Sequence, residues 1–145
     1  MPQETPNVGV LMFVAYREME RRVLDAVVAA GYDVTLAQAR IFQRIGPDGT
    51  RLVELADQAQ VTKQTAGFLV DQLERAGFVE RVADPTDGRA RLVRIAERGR
   101  RAGEIAAGVV AEVEAEWVAH LGKRRMGQLR DTLTKLREIT DPYAR

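Results

Sequence analysis

The 145-residue sequence contains no cysteine and one histidine, His120. The absence of cysteine excludes disulfides, thiol redox sensing and thiolate metal sites. With a single histidine, a zinc site would need mostly carboxylate ligands, so neither a metal nor a cofactor is expected. The sequence also lacks a nucleophile elbow, a phosphate loop and a local catalytic companion for His120. It therefore predicts a protein that is not an enzyme.

Long hydrophobic runs are also missing. No run approaches the roughly 18 apolar residues that span a membrane, and the N-terminal segment lacks a basic and then apolar signal pattern. A cytoplasmic location without a membrane partner is expected. Hydrophobic residues make up 46% of the sequence and aromatic residues only 6%, which favours a helix-rich protein with one core.

The sequence also lacks a large excess of charge of either sign, since its formal net charge at pH 7 is +1. Overall charge therefore does not indicate nucleic-acid binding, but its distribution does. Between Arg89 and Arg101 six arginines accompany one acid, Glu97. A local basic patch on a nearly neutral protein indicates an oriented DNA contact, with a solvated surface as the alternative.

The first half of the chain predicts four helices. Apolar residues recur at helical spacing from Val8 to about Ala30, with Gly31 as the stop. A capping box formed by Thr35 and Gln38 begins the second helix, which the segment 46–49 ends. A short third helix is predicted over about 52–59.

The fourth helix is predicted to begin after Thr62 as its N-cap and to close at Ala76-Gly77, where glycine suits a left-handed residue. Together, the third and fourth helices have the pattern of a helix-turn-helix. The buried stripe of the fourth helix is predicted to comprise Ala66, Leu69, Val70 and Leu73.

A β-hairpin is predicted next. Valine-rich runs at 78–83 and 90–95 flank the segment 84–89, with Asp87-Gly88 in the turn. The same segment superficially resembles a calcium loop, but Ile95 occupies the position of the closing glutamate, so calcium is excluded. A helix-turn-helix followed by such a hairpin is typical of a winged DNA-binding domain.

The last part of the chain is predicted to be helical, with an apolar stripe that continues almost to the end. Such a stripe is most often core, but pairing of terminal helices between two subunits would cover both it and the first helix. A homodimer is therefore expected. The predicted fold is mostly α with a small β-hairpin wing. It forms one domain over 1–145, with dimerisation helices at 8–32 and 103–141 and a winged helix-turn-helix lobe at 35–101.

The candidate DNA contacts lie at the start of the fourth helix and on the hairpin. Lys63 can reach phosphate or guanine, and Gln64 can contact adenine through two hydrogen bonds. Asp87 is expected to fix the guanidinium of Arg89 so that Arg89 projects from the tip, which suits a narrow A·T-rich minor groove. The full predicted set comprises Thr62, Lys63, Gln64, Thr65, Gly67, Phe68, Asp87, Arg89, Arg91 and Arg98.

Over essentially its whole length the sequence resembles the multiple-antibiotic-resistance regulator (MarR) family of winged-helix repressors. The residues that carry the resemblance are Leu55-Ala56, Val61-Thr62, Leu69-Val70-Asp71, Leu73-Glu74, Gly77, Val79-Glu80-Arg81, Asp84-Pro85, Asp87-Gly88-Arg89 and Gly99. The resemblance implies an obligate homodimer joined by its terminal helices, bound to double-stranded DNA at a palindromic operator. It also implies release by a small aromatic or anionic compound bound between the dimerisation helices and the DNA-binding lobe.

Four positions depart from the family pattern. Gln60 replaces the turn glycine of the helix-turn-helix, Val53 replaces a Ser/Thr cap, and Ala96 replaces a threonine cap. Phe68 stands where many relatives place a polar or basic residue that faces DNA. Phenylalanine there could contact thymine methyls or pack against the wing, so the bases that are read cannot be assigned from the pattern.

The candidate effector site consists of aromatic and polar residues on helices that border the pocket implied by the resemblance: Tyr16, Arg17, Tyr32, Phe42, Trp117 and His120. Ordinary core packing or a surface ion pair is the alternative for each. The leading hypothesis is a dimeric transcriptional repressor. The alternative is a winged-helix protein-interaction module whose DNA readout has decayed, with Gly67 and Phe68 as the indicative residues.

Overall fold

The secondary structure follows the predicted order of helices, hairpin and helices. A computed structural model describes residues 4–144, and this part of the chain comprises α1 Val8–Ala29, α2 Leu36–Phe42, α3 Leu52–Ala59, α4 Lys63–Arg75, β1 Val79–Asp84, β2 Asp87–Ile95, α5 Glu97–Leu121 and α6 Lys123–Thr140. The prediction of a mostly α fold with a β-hairpin wing is confirmed.

Local capping signals set the first helix boundaries. Gly31 follows α1 with a φ of +97°, which glycine adopts at little cost. Both halves of the capping box at the start of α2 are present: Gln38 N–H donates to Thr35 Oγ1 (3.2 Å), and Thr35 N–H donates to Gln38 Oε1 (3.1 Å). However, α2 ends at Phe42, before the predicted stop at Gly46, because Ile45 N–H bonds the Phe42 carbonyl in a tighter turn.

The helix-turn-helix is formed by α3 and α4. Gln60, between them, has a φ of 56°, a left-handed conformation that glycine would adopt with less strain. At the other end of α4, Gly77 has a φ of +82°, and Phe78 N–H donates to the Leu73 carbonyl (2.9 Å). These are the features of a Schellman cap. The predicted buried stripe of α4 is confirmed in full.

The wing consists of β1 and β2, which pair antiparallel from Val79 opposite Ile95 to Asp84 opposite Asp87. The turn therefore contains Pro85 and Thr86, and the prediction of a turn at Asp87-Gly88 is wrong, because those residues begin β2. The cause is Asp84, whose Oδ1 accepts hydrogen bonds from the Thr86 amide (2.8 Å) and hydroxyl (2.7 Å). This side chain closes the turn two residues earlier than the Asp-Gly signal indicates.

Asp84 also fastens the wing to the helix-turn-helix. Its side chain is buried, and Arg51, directly before α3, donates to its Oδ2 through Nε (2.9 Å) and an Nη (2.7 Å). Hydrogen bonds from Thr86, and then from Arg51, lower the pKa of Asp84 to about 2. The carboxylate therefore stays ionised at neutral pH. A backbone bridge between Thr50 and Val93 adds a second attachment.

One core joins the helix-turn-helix, the wing, the end of α1 and the first part of α5. Its largest fully buried side chains are Phe78, Ile41, Leu55, Leu73, Val70 and Val93. Because α5 begins inside the predicted lobe and continues into the predicted dimerisation region, one helix belongs to both. The division into a lobe and dimerisation helices stays a prediction.

Two apolar surfaces in the described residues remain exposed. The first half of α1 exposes Val8, Val10, Leu11, Met12, Phe13 and Val14. The end of α6 exposes Leu133, Leu136 and Ile139. None of the helices within residues 4–144 combines the length and apolar character needed to cross a membrane.

Candidate nucleic-acid interface

The start of α4 presents four exposed polar side chains, Thr62 to Thr65. Thr62 is the N-cap: its Oγ1 accepts from the Thr65 amide (3.1 Å), and its hydroxyl donates to Thr65 Oγ1 (2.9 Å). Within the described chain, Lys63 and Gln64 have no side-chain hydrogen bond or ion pair. Free amides at the start of a helix favour anions such as phosphate. Lys63 and Gln64 are therefore the side chains of this set most available to an incoming ligand.

Gly67 lies on the side of α4 that approaches α3. A Cβ at this position would lie 3.6 Å from Leu52 Cδ2, an ordinary van der Waals distance, so the position points toward α3. Contact of Gly67 with DNA stays a prediction.

Gly67→Ala tests this orientation. We expect the free energy of unfolding to rise by up to about 1 kcal/mol, because alanine favours the helix and meets only an ordinary contact. Binding to DNA is expected to stay within about twofold of wild type. Denaturant unfolding and a DNA titration measure the two quantities. A marked loss of DNA affinity in a stably folded variant would indicate that Gly67 lies on the DNA-facing surface instead.

Phe68 lies on the outer surface of α4, and 59% of it is exposed. That exposure is inconsistent with the predicted alternative in which Phe68 packs against the wing. A large exposed aromatic beside Lys63 and Gln64 adds an apolar contact to an otherwise polar surface. It can meet a thymine methyl group or an apolar group of another partner.

On the wing, Asp87 acts on the backbone. Its Oδ1 accepts from the Arg89 amide at 3.0 Å, so the prediction that it fixes the Arg89 guanidinium is wrong. Arg89 and Arg91 are both exposed, and within the described residues neither guanidinium has a carboxylate oxygen within 4.0 Å. Two cations on β2 are therefore left free.

The other arginines of the basic cluster have partners in the protein. Arg94 pairs with Glu80 (2.5 Å), and Arg101 pairs with Glu97 (3.3 Å). Arg100 also pairs with Glu97 (2.7 Å) and contacts Glu104. Within each of these surface pairs, the charges of the arginine and the glutamate offset each other. Arg89 and Arg91 on the wing therefore remain as the free charges of the basic cluster within the described residues.

Arg98 differs from both groups. Its guanidinium carbon lies 4.8 Å from the centre of the Phe78 ring and 5.6 Å from that of Tyr32, and an Nη donates to the Ala76 carbonyl (3.2 Å). These contacts join α5 to the end of α4. Contact of Arg98 with DNA stays a prediction and would require the side chain to leave these groups.

A separate cavity of about 250 Å³ lies between α1, α2 and α5. Of the predicted effector residues, Tyr16 and Phe42 line it. The guanidinium carbon of Arg17 instead lies 5.8 Å from the centre of the Phe13 ring, and Tyr32 packs on Phe78. Trp117 lines a shallow groove between α5 and α6, and His120 lines neither space. The predicted set therefore does not form one site.

The polar side of the cavity contains residues that the sequence does not single out. Arg40 donates to Glu20 through Nε and an Nη, both at 3.0 Å, and Tyr16 donates to the same carboxylate at 2.7 Å. Gln43 Nε2 donates to the Tyr16 hydroxyl at 3.3 Å. The spacing of Tyr16 and Glu20, four residues apart on one helix, was the available signal. Their partners are Arg40 in α2 and Gln43 directly after that helix.

The fold and the exposed surface of α4 and the wing define a winged helix-turn-helix protein. Residues 32–90 match the model of the MarR family. The resemblance to the MarR family predicted from the sequence is confirmed over this segment, and solved structures of similar fold extend the likeness to the terminal helices. No curated protein sequence matches the chain.

Three solved structures illustrate the likeness. The transcriptional regulator Tm0710 from Thermotoga maritima is 26% identical with a TM-score of 0.62, and 90% of each chain is covered. CouR from Rhodococcus jostii RHA1, solved with p-coumaroyl-CoA, is 25% identical with a TM-score of 0.69, covering 90% of this chain and 91% of CouR. Wild-type apo MarR from E. coli, at 24% identity and a TM-score of 0.70 over 92% and 98% of the chains, shares the fold.

Proposed function

We propose that this chain is a homodimeric, sequence-specific DNA-binding transcriptional regulator, acting as a repressor that a small molecule releases from a palindromic operator. The observation that carries the proposal is the pairing of free side chains at the start of α4, Lys63 and Gln64, with free arginines on the wing, Arg89 and Arg91. A helix of this kind reads a major groove while the wing contacts the adjacent backbone or minor groove.

A two-fold dimer would present two copies of α4 to successive major grooves, about 34 Å apart along the DNA. The exposed apolar surfaces of α1 and α6 support that assembly, because large contiguous apolar patches mark interaction sites. Both belong to the terminal helices, away from α4 and the wing in sequence. The dimer contact and the DNA contact would therefore use different parts of the chain.

Leu133→Glu tests the dimer. Leu133 is exposed within the apolar end of α6, and a buried, unpaired carboxylate at an interface is strongly unfavourable. We expect the solution mass to fall from dimer to monomer or the protein to aggregate, as measured by light scattering after gel filtration. Gln128→Glu adds the same charge at an exposed position of α6 and serves as the matched control. An unchanged mass for Leu133→Glu contradicts this interface.

Sequence reading is tested by comparing two neighbours on α4. Selection from a randomised DNA pool, followed by titration, should give a palindromic site, and affinity should fall steeply with salt. Gln64→Ala is expected to change the preferred bases more than the overall affinity. Lys63→Ala is expected to weaken binding to all sequences about equally. Uniform weakening by Gln64→Ala would contradict its role in base reading.

A second candidate function is a protein-interaction module, favoured by the exposure of Phe68 at the centre of the expected reading surface. The same DNA experiment separates the two. If the purified protein prefers no selected site, and no sequence upstream of its own gene, over bulk DNA, the interaction module becomes the better proposal.

The cavity between α1, α2 and α5 is the proposed effector site. It adjoins both a helix that carries the exposed apolar surface and the lobe that contains α4, since Leu73 of α4 also lines it. A molecule bound there would contact both parts. Binding could then favour one relative position of the two reading helices over another.

A further inference from the structure

The charges around the cavity restrict the chemistry of a ligand. Among the described residues that line it, Glu20 and Arg40 are the only charged ones, and most of the others are aliphatic or aromatic. Their side chains differ in exposure, with 12% of Glu20 and 48% of Arg40 exposed. The carboxylate therefore lies on the inner side of the pair.

The Nε edge of the Arg40 guanidinium is not available to an anionic ligand. Its Nε and one Nη are both directed at Glu20, which is the fork geometry by which arginine recognises a carboxylate. The Glu20 carboxylate already holds the place that a ligand carboxylate would occupy. Hydrogen bonds from Arg40 lower the pKa of Glu20, so this internal anion persists at neutral pH.

The remaining polar groups are uncharged. Partial burial raises the pKa of the Tyr16 phenol, which therefore stays protonated and donates to Glu20. Gln43 donates to the Tyr16 hydroxyl, and within the described chain its carbonyl oxygen accepts no hydrogen bond. Gln43 thus supplies an uncharged acceptor among the lining residues, most of which are apolar.

The volume sets the size of the occupant. An apolar cavity of about 150 Å³ accommodates benzene, so about 250 Å³ accommodates a somewhat larger molecule. Resting on the proposed effector role of this cavity, we infer that it binds an uncharged aromatic molecule of one or two rings with a hydrogen-bond donor at one end, and that the Glu20–Arg40 pair excludes aromatic carboxylates.

Two probes of nearly the same shape test this inference. 2-Naphthamide is uncharged and carries a donor, whereas 2-naphthoate is an anion. Calorimetric titration of the full-length protein without DNA should show the amide binding at least about tenfold more tightly, equivalent to about 1.4 kcal/mol. Equal or tighter binding of the naphthoate, or no binding of either probe, overturns the inference.

Glu20→Gln supplies the decisive variant. Removing the internal anion frees the charge of Arg40, so binding of 2-naphthoate should strengthen at least about tenfold and the preference should shift toward the anion. Glu18→Gln removes a carboxylate of α1 that pairs with Arg21 away from the cavity, and it should leave both affinities unchanged. An unchanged preference in a folded Glu20→Gln variant overturns the role of the pair.

Ala106→Leu locates the bound probe. Ala106 lines the cavity from α5, so a larger side chain should weaken the amide by at least about tenfold while circular dichroism stays that of wild type. Undiminished binding would place the probe elsewhere and overturn the inference. Because these titrations contain no DNA, they are independent of the effector role. Binding of the amide without any change in operator affinity would contradict that role and leave the ligand class standing.

Discussion

Replacing Gly99 by alanine should destabilise the protein by about 3 kcal/mol or more, which lowers the melting temperature by roughly 6–12 °C. Gly99 is buried in the first turn of α5, where that helix crosses the start of the wing. A Cβ there would lie 2.1 Å from the Phe78 carbonyl oxygen and 2.9 Å from Phe42 Cε2. The first distance involves backbone, so no side-chain rotation relieves it.

The consequence extends beyond the local clash. The Phe78 carbonyl accepts the hydrogen bond of the Ala96 amide at 3.0 Å, which fixes the chain between β2 and α5. Moving α5 away to admit a methyl group would strain this bond and open the core around Phe42. The helix N-terminus also has no side-chain cap at Ala96 to compensate. Overpacking against backbone is among the few mechanisms that give large single-residue effects.

Gly103→Ala is the matched control one turn further along α5. A Cβ there would meet Phe42 Cε1 at 3.9 Å, an ordinary contact, so the better helix propensity of alanine should raise stability by up to about 1 kcal/mol. Both variants are measured by thermal and denaturant unfolding at one protein concentration, because the melting temperature of a dimer would depend on concentration. Similar stabilities of the two variants would contradict the close approach at Gly99.

Most of the fold is predictable because local signals set its boundaries. The capping box at Thr35 and the left-handed Gly77 each act within a few residues, and the buried stripe of α4 follows from helical periodicity. The hairpin shows the limit of this reasoning. Asp87-Gly88 is a strong turn signal, yet the turn forms at Pro85-Thr86 because the buried Asp84 contacts both Thr86 and the distant Arg51.

The candidate sites were less predictable, because they depend on which partners the fold brings to each side chain. The family resemblance indicates that Tyr16 borders a pocket, but it does not show that Arg40 pairs with Glu20 across 20 positions. The same holds for the wing: composition indicates a basic cluster, whereas only the structure separates the paired Arg94 from the free Arg89. The orientation of Gly67 toward α3 likewise follows from the packing of α3 against α4, which the sequence alone does not show.

The second large effect is the loss of DNA affinity expected when the free arginines of β2 are replaced. Arg89→Ala should weaken binding to the selected operator at least about tenfold, equivalent to about 1.4 kcal/mol, and the double replacement of Arg89 and Arg91 should weaken it further. Each lost phosphate contact lowers the slope of log K against log salt by about 1. In a dimer each substitution acts twice, so a slope change of about 2 is expected per phosphate contact.

Arg94→Ala is the control on the same strand. Arg94 also carries a positive charge, but its Nε and an Nη donate to Glu80, so it lacks the free fork of Arg89. If net charge alone drives DNA binding, the Arg89 and Arg94 variants will lose affinity equally, because each removes one positive charge. If free guanidinium groups make the contact, Arg94→Ala will stay within about twofold and keep the wild-type salt slope. Equal losses, measured across a salt series on the same operator, would contradict the wing contact proposed for Arg89.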